Sequence, residues 1–239
     1  TVTGVQTCAL PILLVGMLDT GFRWRMHESL SMKRVVAEYD FIQHDSVTAN
    51  SAGDASNQDQ HGTLTMSTLG GFKEGVLIGP AFNADFVLGK TEYVPVTDYR
   101  WEEDNWAAGI EWMETMGVDM VSSSLGYNTF VDSANYTFAN GDFDGNTTVS
   151  AKAAIRAARL GVLSCIAMGN ERNTTLIEQT LLTPADADSI ISVGAVTFGR
   201  QLTTFSSTGP TSDNRIKPDV VAPGQSIYCA STAGQIGRA

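Results

Sequence analysis

Leu13-Leu14-Val15-Gly16-Met17-Leu18-Asp19-Thr20-Gly21 sets an unbroken apolar run against an abrupt turn signal. A run without alternation is the pattern of a strand buried on both faces, as in a parallel sheet covered by helices. The same grammar recurs along the chain. Ala84 to Gly89, Val118 to Ser122, Val162 to Ala167 and Ser189 to Val196 read as further strands. Between them lie helical stretches. One runs from His61 to Gly70-Gly71. A second, over 102–116, spaces Trp106, Ile110, Met113 and Met116 at helical intervals, and Gly117 stops it. A third is capped by Thr148, runs through Arg159 and closes at Gly161. Residues 43–60, rich in Ser, Asn, Asp and Gln, read as a surface loop. Strands alternating with helices predict an α/β fold: a three-layer sandwich around a mainly parallel sheet.

Composition agrees. The 239 residues are 43% hydrophobic and 17% charged, enough for one sizeable domain with its own core. Fifteen basic against 26 acidic residues give a net charge of −11. Such a surface repels nucleic acid and anionic membranes. No apolar run approaches the ~18 residues of a membrane span. Three cysteines cannot form a paired framework, and no His or Cys pair sits at metal-ligand spacing.

Both ends read as foreign. Ala9-Leu10-Pro11-Ile12 back-translates as GCT CTT CCG ATC, and Gln235-Ile236-Gly237-Arg238-Ala239 as CAG ATC GGA AGA GCN. The second string contains the reverse complement of the first, as translated sequencing adapter would. Residues 1–12 and 235–239 are therefore set aside as adapter-derived. On this reading the native insert is expected to be 13–234 and a fragment.

In open parallel sheets ligands bind beyond the carboxyl ends of the strands. That rule selects Asp19, Ser122-Ser123-Ser124 and Asn170-Glu171, with His61 opening a helix. Each is weak alone: an Asp after a strand is often only a turn residue, and a lone His is usually structural. Asp19-Thr20-Gly21 is also the tripeptide of aspartic proteases, but those are all-β and need a second catalytic Asp. The combination carries the weight. In chain order it is Asp19-Thr20-Gly21, His61-Gly62-Thr63, Ser124-Leu125-Gly126, Gly169-Asn170-Glu171, Phe205 to Pro210 and Lys217 to Gly224.

This series resembles the subtilisin-like serine proteases (subtilases) over nearly the whole insert. Asp40-Phe41, Glu111-Trp112, Ser124 to Tyr127 and Pro184 to Asp188 look like the Bacteroidetes type. The resemblance implies a serine endopeptidase acting through an acyl-enzyme and an Asp-His-Ser triad. Asp19 would orient the imidazole, His61 would be the general base and then acid, and Asn170 would donate to the oxyanion. Ser124, Leu125 and Gly126 would pair with an extended polypeptide substrate, and Gly169 would shape the specificity pocket. It further implies export to the cell envelope or outside, room for a prodomain, no cofactor for the chemistry, and structural calcium at an unknown site. Asp142-Phe143-Asp144-Gly145-Asn146 offers alternating oxygens, but its glycine is misplaced for an EF-hand, so a solvated turn is the better reading. Pro184 matches a proline often held cis. One departure is decisive for activity: no Gly-Thr-Ser occurs in the chain, so the nucleophile is expected beyond its end and the fragment is expected to be inactive. The rival reading is a pseudoprotease that binds extended peptides. Cys165 and Cys229 read as inert thiols, with a disulfide between them left open.

Overall fold

The structure is a computed structural model and describes residues 13–95, 98–172, 179–231 and 235–238. The proposed N-terminal adapter, 1–12, lies outside the described residues. In chain order the elements are β1 (Leu14–Asp19), β2 (Val35–Asp40), α1 (Gln60–Gly70), β3 (Phe72–Lys73), β4 (Leu77–Ile78), β5 (Asp85–Lys90) and α2 (Arg100–Thr115). There follow β6 (Met120–Ser123), a short 3-10 turn (Phe138–Asn140), α3 (Val149–Arg159), β7 (Leu163–Ala167), β8 (Ile191–Val196), β9 (Val220–Pro223), β10 (Tyr228–Ala230) and β11 (Ile236–Arg238).

Seven strands form one parallel sheet in the order β2-β5-β1-β6-β7-β8-β9. Two hairpins, β3–β4 and β10–β11, stand apart from it. The α/β class and the mainly parallel sheet are as the sequence predicts. The sheet grows both ways from β1, so the strand order reverses there. The carboxyl end of β1, where Asp19 sits, is thus the topological switch point at which a ligand crevice opens.

The pleat explains which way Asp19 points. Successive side chains on a strand alternate between faces. Val15 and Met17 join Phe86, Leu88 and Met66 of α1 in one core. Leu18 joins Trp106, Ile110 and Met113 of α2 and the alanines of α3 in the other. Asp19 continues the 15, 17, 19 series and is directed to the α1 side. Helices cover both faces of the sheet, which makes the predicted three layers.

The helix ends are satisfied locally. Thr148 accepts the Ala151 N–H at the start of α3, as its sequence position predicts. The Glu102 carboxylate accepts the Tyr99 N–H at 2.5 Å, which closes the first turn of α2. Thr183–Pro184 is cis, as are Gly209–Pro210 and Lys217–Pro218. No disulfide joins Cys165, half-buried, to Cys229, buried. Met168 packs into the larger core.

Two sheet strands were not legible in the sequence. β2 is an edge strand whose register shifts between Val35 and Ala37, so its apolar alternation is broken. β9 holds four exposed residues and ends in proline, with Val220 48% and Val221 54% accessible.

Candidate active site

Asp19 is 1% exposed, and each of its carboxylate oxygens has a protein donor. Oδ1 accepts the Thr20 N–H at 2.7 Å and His61 Nδ1 at 2.6 Å; Oδ2 accepts the Thr65 hydroxyl at 2.9 Å. His61 and Thr65 are one turn apart on α1, so the helix presents two donors to one carboxylate. The pair bridges 42 residues of sequence. Close helix–strand approach makes the contact possible. A Cβ on Gly62 would stand 2.2 Å from the Gly21 carbonyl oxygen, so only glycine lets the first turn of α1 sit on the turn after β1.

A carboxylate only accepts, so Nδ1 carries the hydrogen and the neutral ring keeps its lone pair on Nε2. The His61 side chain is 47% exposed, open to the cleft, whereas its partner is buried. The charge of Asp19 holds the imidazole pKa above its ordinary value, against the opposing effect of burial. If His61 is the base, activity requires the neutral ring. The acid limb of kcat/KM in a complete enzyme is therefore expected above pH 6.5, and to move down in Asp19→Asn; an unmoved limb would contradict the coupling.

The pair opens onto a cleft of about 560 Å³ that also receives Ser124, Leu125, Gly126, Gly169 and Asn170. All seven residues singled out in the sequence thus line this cleft or support it. Ser124 to Gly126 follow β6, and Gly169 and Asn170 follow β7, which places them beyond the carboxyl ends of adjacent strands. Gly169 has φ +105°, and a Cβ there would meet Leu182 Cγ at 2.7 Å. Gly169→Ala is expected to cost about 1–3 kcal/mol, from backbone strain plus this contact, read as a lowered denaturation midpoint. No change in midpoint would mean that Leu182 gives way freely.

Asp142 to Asn146 form a turn that uses its own oxygens. Asp144 Oδ1 accepts the N–H groups of Asn146 and Thr147 at 2.7 and 2.8 Å, and Asp142 Oδ2 accepts that of Thr137 at 2.7 Å. Among the described residues, the carboxylates that converge closely enough for a cation are elsewhere: Glu92, Asp98 and Glu102. These line the same cleft, as does Glu171. Burial pushes Glu102 up to about 7 and Asp98 up to about 6, with neighbouring carboxylates adding to both. Glu92 rises well above the usual range from burial and from Glu102. Reading the sequence did not single these out, because no motif joins them. The strand-end rule could have flagged Glu92, which follows β5 as Asp19 closes β1.

The subtilase family model, Peptidase S8, matches residues 13–238. The chain belongs to the subtilase family. Subtilisin DY from Bacillus licheniformis is 28% identical over 222 residues, 90% of this chain but 65% of the relative. The subtilase chain thus spans about two-thirds of that protein's length. Similar solved structures include the CspB protease of Clostridium perfringens (TM-score 0.73, 14% identity, 95% of this chain and 79% of that one). A cold-adapted subtilisin-like serine proteinase gives TM-score 0.68 at 21% identity, over 97% of this chain and 71% of that one. At these identities the structural likeness shows the fold.

Proposed function

We propose that this subtilase chain is the larger part of the catalytic domain of a serine endopeptidase, with its nucleophile on native sequence that follows residue 234. The observation that carries the reading is the 2.6 Å contact between His61 Nδ1 and the buried Asp19, on a cleft shared with Asn170. In this reading a serine Oγ–H attacks the substrate carbonyl carbon and His61 Nε2 takes its proton. The tetrahedral oxyanion is held by the Asn170 amide. The C–N bond then breaks as His61 returns the proton to the leaving amine, and water releases the acyl group by the same steps. Asp19 stabilises the imidazolium. Ser124 to Gly126 pair with the extended substrate backbone, and Gly169 walls its side-chain pocket.

Three facts support a nucleophile outside the chain: no Gly-Thr-Ser in the sequence, coverage of 65% of subtilisin DY, and the bare strand β9. Further sequence would cover β9 and supply the serine. The adapter reading of residues 1–12 and 235–239 and the Bacteroidetes placement belong to the same proposal, as does export. Among the described residues no helix is long and apolar enough to cross a membrane. Subtilases need no cofactor for the chemistry, and the backbone N–H groups bound by Asp142 and Asp144 support a solvated turn at 142–146. The test compares this chain with a longer product of its gene on an unfolded protein substrate near pH 8. Cleavage by the longer product alone is expected. Cleavage by neither, with extended peptides still bound, would favour the pseudoprotease.

A further inference from the structure

The two oxygens of Asp19 are held unequally. Oδ1 has two donors, the Thr20 N–H at 2.7 Å and His61 Nδ1 at 2.6 Å. Oδ2 has one among the described residues, the Thr65 hydroxyl at 2.9 Å. Thr65 lies one turn beyond His61 on α1, behind the ring rather than on the cleft lining. Its hydroxyl has a competing acceptor, the Gly62 carbonyl three residues back, at 3.1 Å. A single hydroxyl proton cannot serve both. The back-bond is the ordinary use of a hydroxyl inside a helix. α1 makes it twice more, where Ser67 donates to Leu64 and Thr68 to Thr65, both at 2.7 Å. Thr65 is drawn off that pattern toward Asp19, which is both the nearer acceptor and the charged one. With Asp19 only 1% exposed, solvent does not take the donor's place at Oδ2.

We propose that Thr65 is a positioning residue of the Asp19–His61 pair: by donating to Oδ2 it takes up part of the carboxylate charge and so limits how strongly His61 holds a proton. The inference rests on the endopeptidase reading, in which neutral His61 is the base. It adds a residue that acts through Asp19 without touching substrate. A hydrogen bond to a carboxylate favours its charged form and draws that charge toward the donor. The imidazolium on Oδ1 of the same group then meets a weaker partner. Other charged groups surround the ring. Glu92, Asp98, Glu102 and Glu171 line the cleft, and Asp59, just before α1, is paired with Arg23. The charge that governs the imidazole is nonetheless that of Asp19. Without the Thr65 hydroxyl, Oδ1 keeps both of its donors. The carboxylate therefore stays against His61 with its charge undivided, and the base holds its proton to higher pH.

The test is Thr65→Val in the longer gene product, a change that keeps the branched shape and removes the hydroxyl. The acid limb of kcat/KM is expected to move up by at least about half a pH unit, roughly a threefold gain in the proton affinity of His61. Thr65→Ser, which restores a hydroxyl, is expected to bring the limb back. If the valine packs poorly, Thr65→Ala removes the same donor and is read in the same way. A limb that stays in place or moves down would overturn the inference and leave the endopeptidase reading intact. So would a serine variant that fails to restore it. Loss of a merely structural contact would lower the denaturation midpoint without moving the limb. Proton NMR titration of His61 Hε1 reads the same shift without catalysis. If no peptide is cleaved by any version, the endopeptidase reading fails, and that titration decides this inference alone. An upward shift in Thr65→Val supports it and an unchanged midpoint overturns it.

Discussion

Replacing His61 with alanine in the longer gene product is expected to remove proteolysis almost entirely. A loss of about a million-fold in kcat is the size known for subtilisin itself, a member of this family, and is carried over from it. The reason is structural: His61 brings the free Nε2 to the cleft, and no other histidine lines it. His27 is buried against Ser29, and His44 lies on the exposed loop after β2. Asp19→Asn is expected to be milder, about ten-thousand-fold, the size seen for such a change in a serine protease triad. An asparagine amide could donate to Nδ1 and so favour the wrong tautomer, while the Thr20 and Thr65 donors keep the side chain in place. Assays of kcat across pH 5–9 check both. Activity in His61→Ala with an acid optimum that depends on Asp19 would instead point to aspartic-protease chemistry.

Lys90→Met is expected to lower stability by about 3–5 kcal/mol at pH 8. Lys90 ends β5 with its side chain fully buried, its Nζ 2.8 Å from Asp40 Oδ2 and 2.9 Å from both oxygens of Asp54. Asp40 ends the neighbouring strand β2, and Asp54 lies in the loop that leads to α1 and His61. One ammonium therefore ties the loop that leads into α1 to the ends of β2 and β5. Removing it strands two carboxylates in the interior. Burial opposes ionisation of Asp54, but Lys90 and Ser51 outweigh it and hold its pKa below the ordinary value. In the intact protein that stabilisation is present above the unfolded pKa and fades as pH falls through the lowered folded one. Without Lys90 the buried acid prefers its proton, so the variant is expected to lose stability as pH rises. Denaturant titrations at pH 5 and 8 read the difference. A loss below about 1 kcal/mol would mean that the site behaves as a surface ion pair.

Much of the fold was legible because parallel strands covered on both faces announce themselves as apolar runs. β1, β5, β6, β7 and β8 all did so, within a residue or two of their ends. β2 and β9 did not: both are edge strands, one with shifted register and one without burial to write a pattern. The site was partly legible for a different reason. Asp19, His61 and Asn170 stand in short motifs, and the series of motifs is more specific than any member. What sequence could not convey is convergence. The 42-residue separation of Asp19 and His61 becomes 2.6 Å only through the pleat of β1 and the glycine contact at the start of α1. Glu92, Asp98 and Glu102 sit on a strand end, a connecting segment and a helix start; only the fold brings them to one wall.

Asp19 and His61 are proposed to activate a serine carried by native sequence that follows residue 234. Treating the longer gene product with a fluorophosphonate and mapping the adduct by mass spectrometry tests it most directly. One modified serine is expected, on native sequence that follows residue 234, with labelling lost in His61→Ala. Failure of every serine to react in a folded product, or labelling indifferent to His61, would contradict it.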